Sequence, residues 1–184
     1  MAIVVDTCSL VSLAKNYLPL DDNGSLLSFV QEKISSKEWI LLDAIQKESE
    51  YTSQGIVMDK MPFLKDRSCV IKTDNVFPPS QRKFDNMLDR NFSIPLLKRD
   101  YTDEQYIVMK DEFVKSGDGR IIVYCLSLKN NPELFTELSV LTEETRNTND
   151  SKLFKKLPLI CDHLGIKVLT LPDYLKANGF RVEK

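Results

Sequence analysis

Short apolar runs alternate with amphipathic segments along most of this chain, and this alternation constrains the fold more than any other feature. Buried strands are predicted at the aliphatic runs of residues 2–6, 39–42, 137–142 and 166–171. Helices with one apolar face are predicted at residues 9–17, 26–34, 44–51 and 154–164. Because strand–helix–strand connections are right-handed, the alternation predicts a central parallel sheet flanked by helices, which is a three-layer α/β/α fold.

The middle of the chain is less regular, because several prolines interrupt it. We interpret residues 52–115 as a helical insertion on the same domain, since their apolar content is too high for a solvated linker. The elements predicted in and just after it are a β-like run at 69–71, helices at 82–91 and 103–115, and a loop at 116–119 before a helix to about 128. A chain of 184 residues with 42% hydrophobic content can bury one core, so we predict a single domain over residues 1–184.

The composition indicates the compartment of the protein and argues against a zinc site. No run of about 18 apolar residues and no secretory signal pattern is visible, so we expect a cytoplasmic protein with no membrane contact. The cysteines are widely spaced and form no Cys-x-x-Cys pair, which is typical of buried thiols. His163 lies two positions after Cys161, but a structural zinc site needs four convergent ligands, so zinc is not predicted.

The net charge of −2 and the pI of about 5.6 do not by themselves suggest a nucleic-acid-binding protein. Acids gathered in one pocket would lower the pI, however, while basic residues elsewhere could still contact phosphates. The basic residues available for this are Lys65, Arg67, Arg82, Lys83, Lys98, Arg99, Lys152, Lys155 and Lys156. Each of these clusters alone is more typical of a solvated surface.

Four acids lie at junctions between predicted strands and helices: Asp6, Glu48, Asp118 and Glu144. In parallel α/β sheets, ligands bind beyond the carboxyl ends of the strands. Carboxylates that share a small pocket repel one another unless a cation is present, and Mg²⁺ and Mn²⁺ prefer oxygen ligands. The acids therefore predict one metal site, although Glu48 could be a surface acid and Asp118 could be an ordinary helix N-cap.

Four segments resemble the motifs of the PIN-domain nucleases, the family that includes the toxin ribonucleases of many prokaryotic toxin–antitoxin pairs. Residues 4–10 are similar to the first motif, an apolar strand followed by Asp and a small hydroxylic residue. Residues 41–48 resemble the second, a strand leading into an acid-bearing helix. Residues 116–122 resemble the third, and residues 141–144 the fourth. Residues 156–168 resemble a subgroup in which a Pro- and Cys-containing helix precedes the last strand.

This resemblance implies a PIN-like fold and a Mg²⁺- or Mn²⁺-dependent endoribonuclease that acts as a toxin or defence effector. It implies an RNA substrate, with single-stranded DNA not excluded, cleavage that leaves a 5′-phosphate, an antitoxin or regulatory partner, and a possible homodimer. Asp6, Asp118 and Glu144 would be metal ligands and catalytic residues, and Glu48 would bind the metal directly or through water. Thr142 or Ser9 could orient a water.

The fourth motif departs from the family pattern, which most often has Asp where this chain has Glu144. The role of Glu144 could be shared or taken over by Glu143, Asp150 or Asp162. Glu50 likewise competes with Glu48 for the second acid. Side chains alternate along a strand, so we expect Thr142 and Glu144 to point in the same direction and Glu143 in the other.

Two other functions compete with the nuclease. A haloacid-dehalogenase-type phosphatase also begins with an Asp at a strand end, but that family requires a second Asp where this chain has Cys8. A PIN-like binding module without catalytic activity is the non-enzymatic alternative. The presence of all four acids favours the nuclease over this alternative.

Overall fold

The fold is built on five short strands that pair side by side in parallel, in the order β3-β2-β1-β4-β5. The computed structural model describes residues 2–129, 137–147 and 152–180. The strands are β1 (Ala2–Val5), β2 (Trp39–Leu42), β3 (Val70–Ile71), β4 (Leu138–Leu141) and β5 (Lys167–Leu169). The predicted three-layer α/β/α fold with a parallel sheet is confirmed.

Ten α-helices flank this sheet in the part of the chain that the structure describes. They are α1 (Thr7–Ser12), α2 (Ser25–Ser35), α3 (Asp43–Tyr51), α4 (Ile56–Lys60), α5 (Gln81–Met87), α6 (Pro95–Lys98), α7 (Asp103–Lys115), α8 (Gly117–Lys129), α9 (Leu157–Leu164) and α10 (Leu171–Ala177). Single π-helical turns, Leu13–Tyr17 and Leu88–Phe92, extend α1 and α5. None of these helices is long and apolar enough to cross a membrane.

The central strands are buried because their side chains are apolar on both faces. Every residue of β1 and β2 is buried, which is expected of a parallel sheet covered by helices on both sides. On one side, Tyr174 of α10 packs against Trp39 of β2 and Phe29 of α2, with ring centroids 5.4 and 6.3 Å apart. A second group of helices, α1, α3, α8 and α9, forms a connected series of contacts.

Several predicted boundaries differ from the structure, and each difference has a local cause. Helix α8 begins at Gly117, not after Gly119, because the Ser116 hydroxyl accepts a hydrogen bond from the Gly119 N–H at 3.2 Å and caps the helix. Helix α9 begins at Leu157, not at residue 154, because Phe154 forms an antiparallel bridge with Ser93.

The predicted insertion contributes one helix that bears directly on the site. Helix α7 begins with a capping box, in which the Thr102 and Gln105 side chains bond each other's backbone N–H groups. It packs closely on α8, where a Cβ added to Gly119 would lie 2.0 Å from the Phe113 carbonyl oxygen. This close approach places α7 beside the carboxyl edge of the sheet.

Candidate active site

All four predicted acids line one cleft of about 700 Å³ at the carboxyl edge of the sheet. Asp6 follows β1 directly, Glu48 lies on α3, Asp118 lies in the first turn of α8, and Glu144 follows β4. Strands β1 and β4 are neighbours, and the Asp6 N–H donates to the Leu141 carbonyl at 3.0 Å. The structure therefore brings these acids together from four separate elements.

Asp6 is buried at the bottom of the cleft and is held by two side chains. Its Oδ2 accepts hydrogen bonds from the Thr142 hydroxyl and the Cys8 thiol, both at 2.7 Å. Burial raises the pKa of Asp6, the bonds from Cys8 and Thr142 oppose this rise, and the charge of Glu144 adds to it. Thr142 thus links the ends of β1 and β4, and its oxygen also accepts the Glu144 N–H at 3.1 Å.

Glu48 is fixed by donors from two other elements. The Thr7 hydroxyl donates to Oε2 at 2.8 Å, and the Gly117 N–H donates to Oε1 at 2.7 Å. A Cβ added to Gly117 would lie 2.5 Å from Oε2, so glycine is required for this approach. The competing acid Glu50 is exposed and does not line the cleft.

Asp118 is half-buried and faces the other three acids. Its pKa is raised to about 8, first by burial, then by the negative charges of Asp6 and Glu144, with a smaller contribution from Glu48, while Lys152 opposes the rise. The sequence offered a plain N-cap as an alternative for Asp118. The capping hydroxyl belongs instead to Ser116.

Glu144 and its competitors lie in different surroundings. Glu144 lines the cleft, where its Oε2 accepts the Leu157 N–H at 3.1 Å and its Oε1 lies 3.8 Å from Lys152 Nζ. Glu143 instead accepts the Leu171 N–H at 2.6 Å, at the start of α10. Asp162 pairs with Arg146 on the surface, at 2.7 and 3.0 Å. Asp150 lies outside the described residues.

The water-orienting role considered for Thr142 or Ser9 does not fit the structure. Both side chains are fully buried, and neither lines the cleft. The Ser9 hydroxyl has no hydrogen-bond partner among the described residues, and the Thr142 hydroxyl is used by Asp6 and Glu144. Thr142 is therefore a positioning residue for Asp6.

The donor set fits a hard divalent cation, because four carboxylates repel one another in a half-enclosed cleft and carboxylate oxygens are the ligands that Mg²⁺ and Mn²⁺ prefer. Within the described residues, no three His, Cys, Asp or Glu side chains already form a cluster that could hold an ion. Asp6 and Glu48 are instead hydrogen-bonded to neighbouring protein donors.

Residues 3–182 match the protein family described as a domain of unknown function, DUF4411. The chain belongs to this family. Neither a curated protein nor a solved structure with significant similarity to the chain was found. The cleft is therefore the feature of this DUF4411 chain that bears on its function.

The remaining wall of the cleft combines apolar and basic side chains with one further acid, Glu112. Tyr101, Met109 and Phe113 line it from α7 and the turn before it, and Leu153, Phe154, Lys152, Lys155 and Lys156 line it from the segment before α9. Of the other basic residues that the sequence singled out, Lys98 lies 3.9 Å above the Tyr106 ring, outside the cleft lining. The remaining ones do not line the cleft either.

Sequence reasoning missed three parts of this site. They are the Cys8 thiol, the Thr7 hydroxyl and the Phe113 ring. Cys8 bonds the nearby Asp6, but Thr142, Glu48 and Phe154, which contact Cys8, Thr7 and Phe113, are distant in sequence, so no local pattern identifies these contacts. The single aromatic residue among three lysines at positions 152–156 is a weak signal of this wall in the sequence.

Proposed function

We propose that this chain is a Mg²⁺- or Mn²⁺-dependent endoribonuclease of PIN type that hydrolyses RNA phosphodiester bonds. The observation that carries the proposal is the convergence of Asp6, Glu48, Asp118 and Glu144 on one cleft at the carboxyl edge of a parallel sheet. The lysines at positions 152, 155 and 156 line the same cleft and supply positive charge for a phosphate backbone. Metal-assisted phosphodiester hydrolysis uses carboxylates that hold the cation, and basic side chains beside them can hold the phosphates.

In this proposal Asp6, Asp118 and Glu144 hold the cation, and Glu48 binds it directly or through water. A bound divalent cation would lower the pKa of a water and neutralise the charge that develops on the phosphate. The raised pKa of Asp118 supports this assignment, because a cation would offset the repulsion from Asp6 and Glu144. Thr142 would keep Asp6 in one orientation.

One observation favours the non-enzymatic alternative, a binding module with the same fold. The oxygens of Glu48 accept hydrogen bonds from Thr7 and Gly117, so the protein itself satisfies this acid. The phosphatase alternative is less well supported, because Cys8 stands where a general acid would be needed. Burial and the neighbouring Asp6 raise the pKa of the Cys8 thiol, so it is a poor proton donor.

The resemblance to toxin ribonucleases supports a role as a toxin or defence effector, with an antitoxin or regulatory protein as partner and a homodimer as a further possibility. Cys8, Cys69, Cys125 and Cys161 are free, which supports a reducing compartment, and we propose the cytoplasm. Growth arrest on expression, relieved by Asp118→Asn, is the expected cellular result. Equal growth with the wild-type chain and the variant would contradict the toxin role.

The decisive experiment is cleavage of labelled RNA by the purified chain with Mn²⁺, Mg²⁺ or EDTA. We expect cleavage only with the cations, 5′-phosphate product ends, and a loss of at least about 100-fold in Asp118→Asn. Asp162→Asn is the matched control, because Asp162 is a surface acid paired with Arg146 outside the cleft. Metal-dependent RNA binding without cleavage would favour the binding module.

A further inference from the structure

We propose that Phe113, backed by Phe154, forms a platform on which an unpaired base of a single-stranded nucleic acid stacks beside the acids of the cleft. This inference rests on the proposed function, since it names the substrate class of the same site. Both rings line the cleft that contains Asp6, Glu48, Asp118 and Glu144. A strand whose phosphate lies at the acids therefore passes these rings with its neighbouring nucleotides.

The geometry of the two rings suits stacking. Their centroids are 4.3 Å apart and their planes are inclined by 23°, so Phe154 supports one face of Phe113. Phe154 is 7% exposed and is backed in turn by Tyr106, with centroids 6.4 Å apart and planes inclined by 30°. Phe113 is half-buried and lines the cleft, and Tyr101 lies on the same wall. The result is a supported planar surface on the same cleft as the four acids.

The backbone of the segment that carries Phe154 is held rigidly. Ile94 N–H donates to the Leu153 carbonyl and Lys155 N–H donates to the Phe92 carbonyl, both at 2.8 Å. Lys155 follows Phe154 directly and also lines the cleft. Aromatic rings next to cations along one groove are the combination that binds single strands, because each nucleotide offers one base face and one phosphate. In a duplex both faces of every base are covered, so a double strand cannot use the platform.

The test is the affinity of labelled oligonucleotides measured by fluorescence anisotropy in EDTA, so that binding is separated from metal-dependent cleavage. The probes are an RNA oligomer, a DNA oligomer of the same sequence, their duplexes, and a base-free sugar-phosphate oligomer of the same length. We expect Phe113→Leu to weaken binding of both single strands by about 5- to 150-fold and Phe113→Trp to retain it. The base-free oligomer should bind wild type and Phe113→Leu equally.

Two controls separate stacking from charge and from folding. Phe77→Leu changes an aromatic residue that is 67% exposed and outside the cleft, and should leave binding unchanged. The slope of the logarithm of the binding constant against the logarithm of the salt concentration should become shallower by about 0.7 in Lys155→Ala. It should not change in Phe113→Leu. If Phe113→Leu does not fold, the comparison of base-bearing and base-free oligomers on the wild type still tests the platform.

Four outcomes would overturn the platform: wild-type affinity in Phe113→Leu, an equal loss on the base-free oligomer, equal binding of base-bearing and base-free oligomers by wild type, or duplex binding as tight as single-strand binding. A difference between the RNA and DNA probes would instead report contacts to the 2′-hydroxyl and leave the platform in place. RNA cleavage by a chain whose Phe113→Leu variant binds normally would keep the nuclease and remove the platform. Binding that depends on the bases, without cleavage of RNA, would support the platform and contradict the nuclease.

Discussion

The Oε1 atom of Glu48 lies 2.7 Å from the backbone nitrogen of Gly117 and accepts its hydrogen bond. The bond joins α3 to the first turn of α8, one residue before Asp118. The partial positive charge of a helix N-terminus favours a carboxylate at this place. Two of the four predicted acids are thus positioned by one contact, which Gly117→Ala would remove.

Gly117→Ala is expected to displace Glu48 while the fold persists. The new Cβ would lie 2.5 Å from Glu48 Oε2, so the carboxylate must move, whereas the backbone at Gly117 has no positive φ and accepts alanine. We expect Mn²⁺ affinity and RNA cleavage to fall by about 10- to 100-fold. Isothermal titration with Mn²⁺ measures the first effect, and Glu48→Gln should reproduce it. Unchanged Mn²⁺ affinity in both variants would show that Glu48 is structural.

Mn²⁺ is expected to stabilise the wild-type chain against heat. A ligand that binds only the native state raises the free energy of unfolding by about 2.7 kcal/mol at a hundredfold excess over its Kd, which is about 5–10 °C in Tm for a chain of this size. Asp6→Asn should lose most of this shift, and the surface variant Asp162→Asn should keep it. The measurement is differential scanning calorimetry with Mn²⁺ and with EDTA, and equal Tm values for wild type would count against a metal site.

In EDTA the chain is expected to become less stable as the pH rises from about 4 to about 8. The pKa of Asp118 is about 8 in the folded state and near its ordinary value of about 4 when unfolded, so the folded state holds the proton more tightly. Stability from this group is complete below about pH 4 and is lost as the pH rises through the folded pKa. Urea unfolding across this range should show a smaller loss in Asp118→Asn, and Mn²⁺ should reverse the loss in wild type. An identical pH dependence in both proteins would contradict the raised pKa.

Glu144→Gln is expected to lose metal-dependent cleavage, and Glu143→Gln is expected to keep most of it. Glu144 lines the cleft, whereas Glu143 accepts the Leu171 N–H at 2.6 Å on another side of the strand end. Glutamine retains an acceptor oxygen, so both variants can keep their backbone hydrogen bonds and should fold alike. Initial rates of RNA cleavage decide the matter, and the reverse order would assign the metal-binding role to Glu143.

Local sequence patterns predict most of the elements and the sheet edge on which the acids lie. Strands β1 and β2 appear where apolar runs predict them, and α7 has the predicted bounds Asp103–Lys115. Gly165 ends α9 with a positive φ of 61°, a conformation that glycine adopts readily just after the last apolar residue of a helix. These features depend on periodicity and on local backbone preferences, which neighbouring residues are sufficient to specify. Parallel strands end at one edge, so Asp6 and Glu144 could be assigned to that edge together.

How the acids are held and which side chains face them depend on contacts between distant segments. Thr7 and Glu48 are 41 positions apart, Cys8 and Thr142 are 134 apart, and Asp6 and Thr142 are 136 apart. The same holds for Phe113 and Phe154, which come from α7 and from the segment before α9. Contacts between distant segments depend on strand order, helix packing and register, which no local pattern encodes. The approach of Gly117 to the Glu48 carboxylate and of Gly119 to the Phe113 backbone is decided at this level, because a Cβ at either glycine would collide with the neighbouring helix.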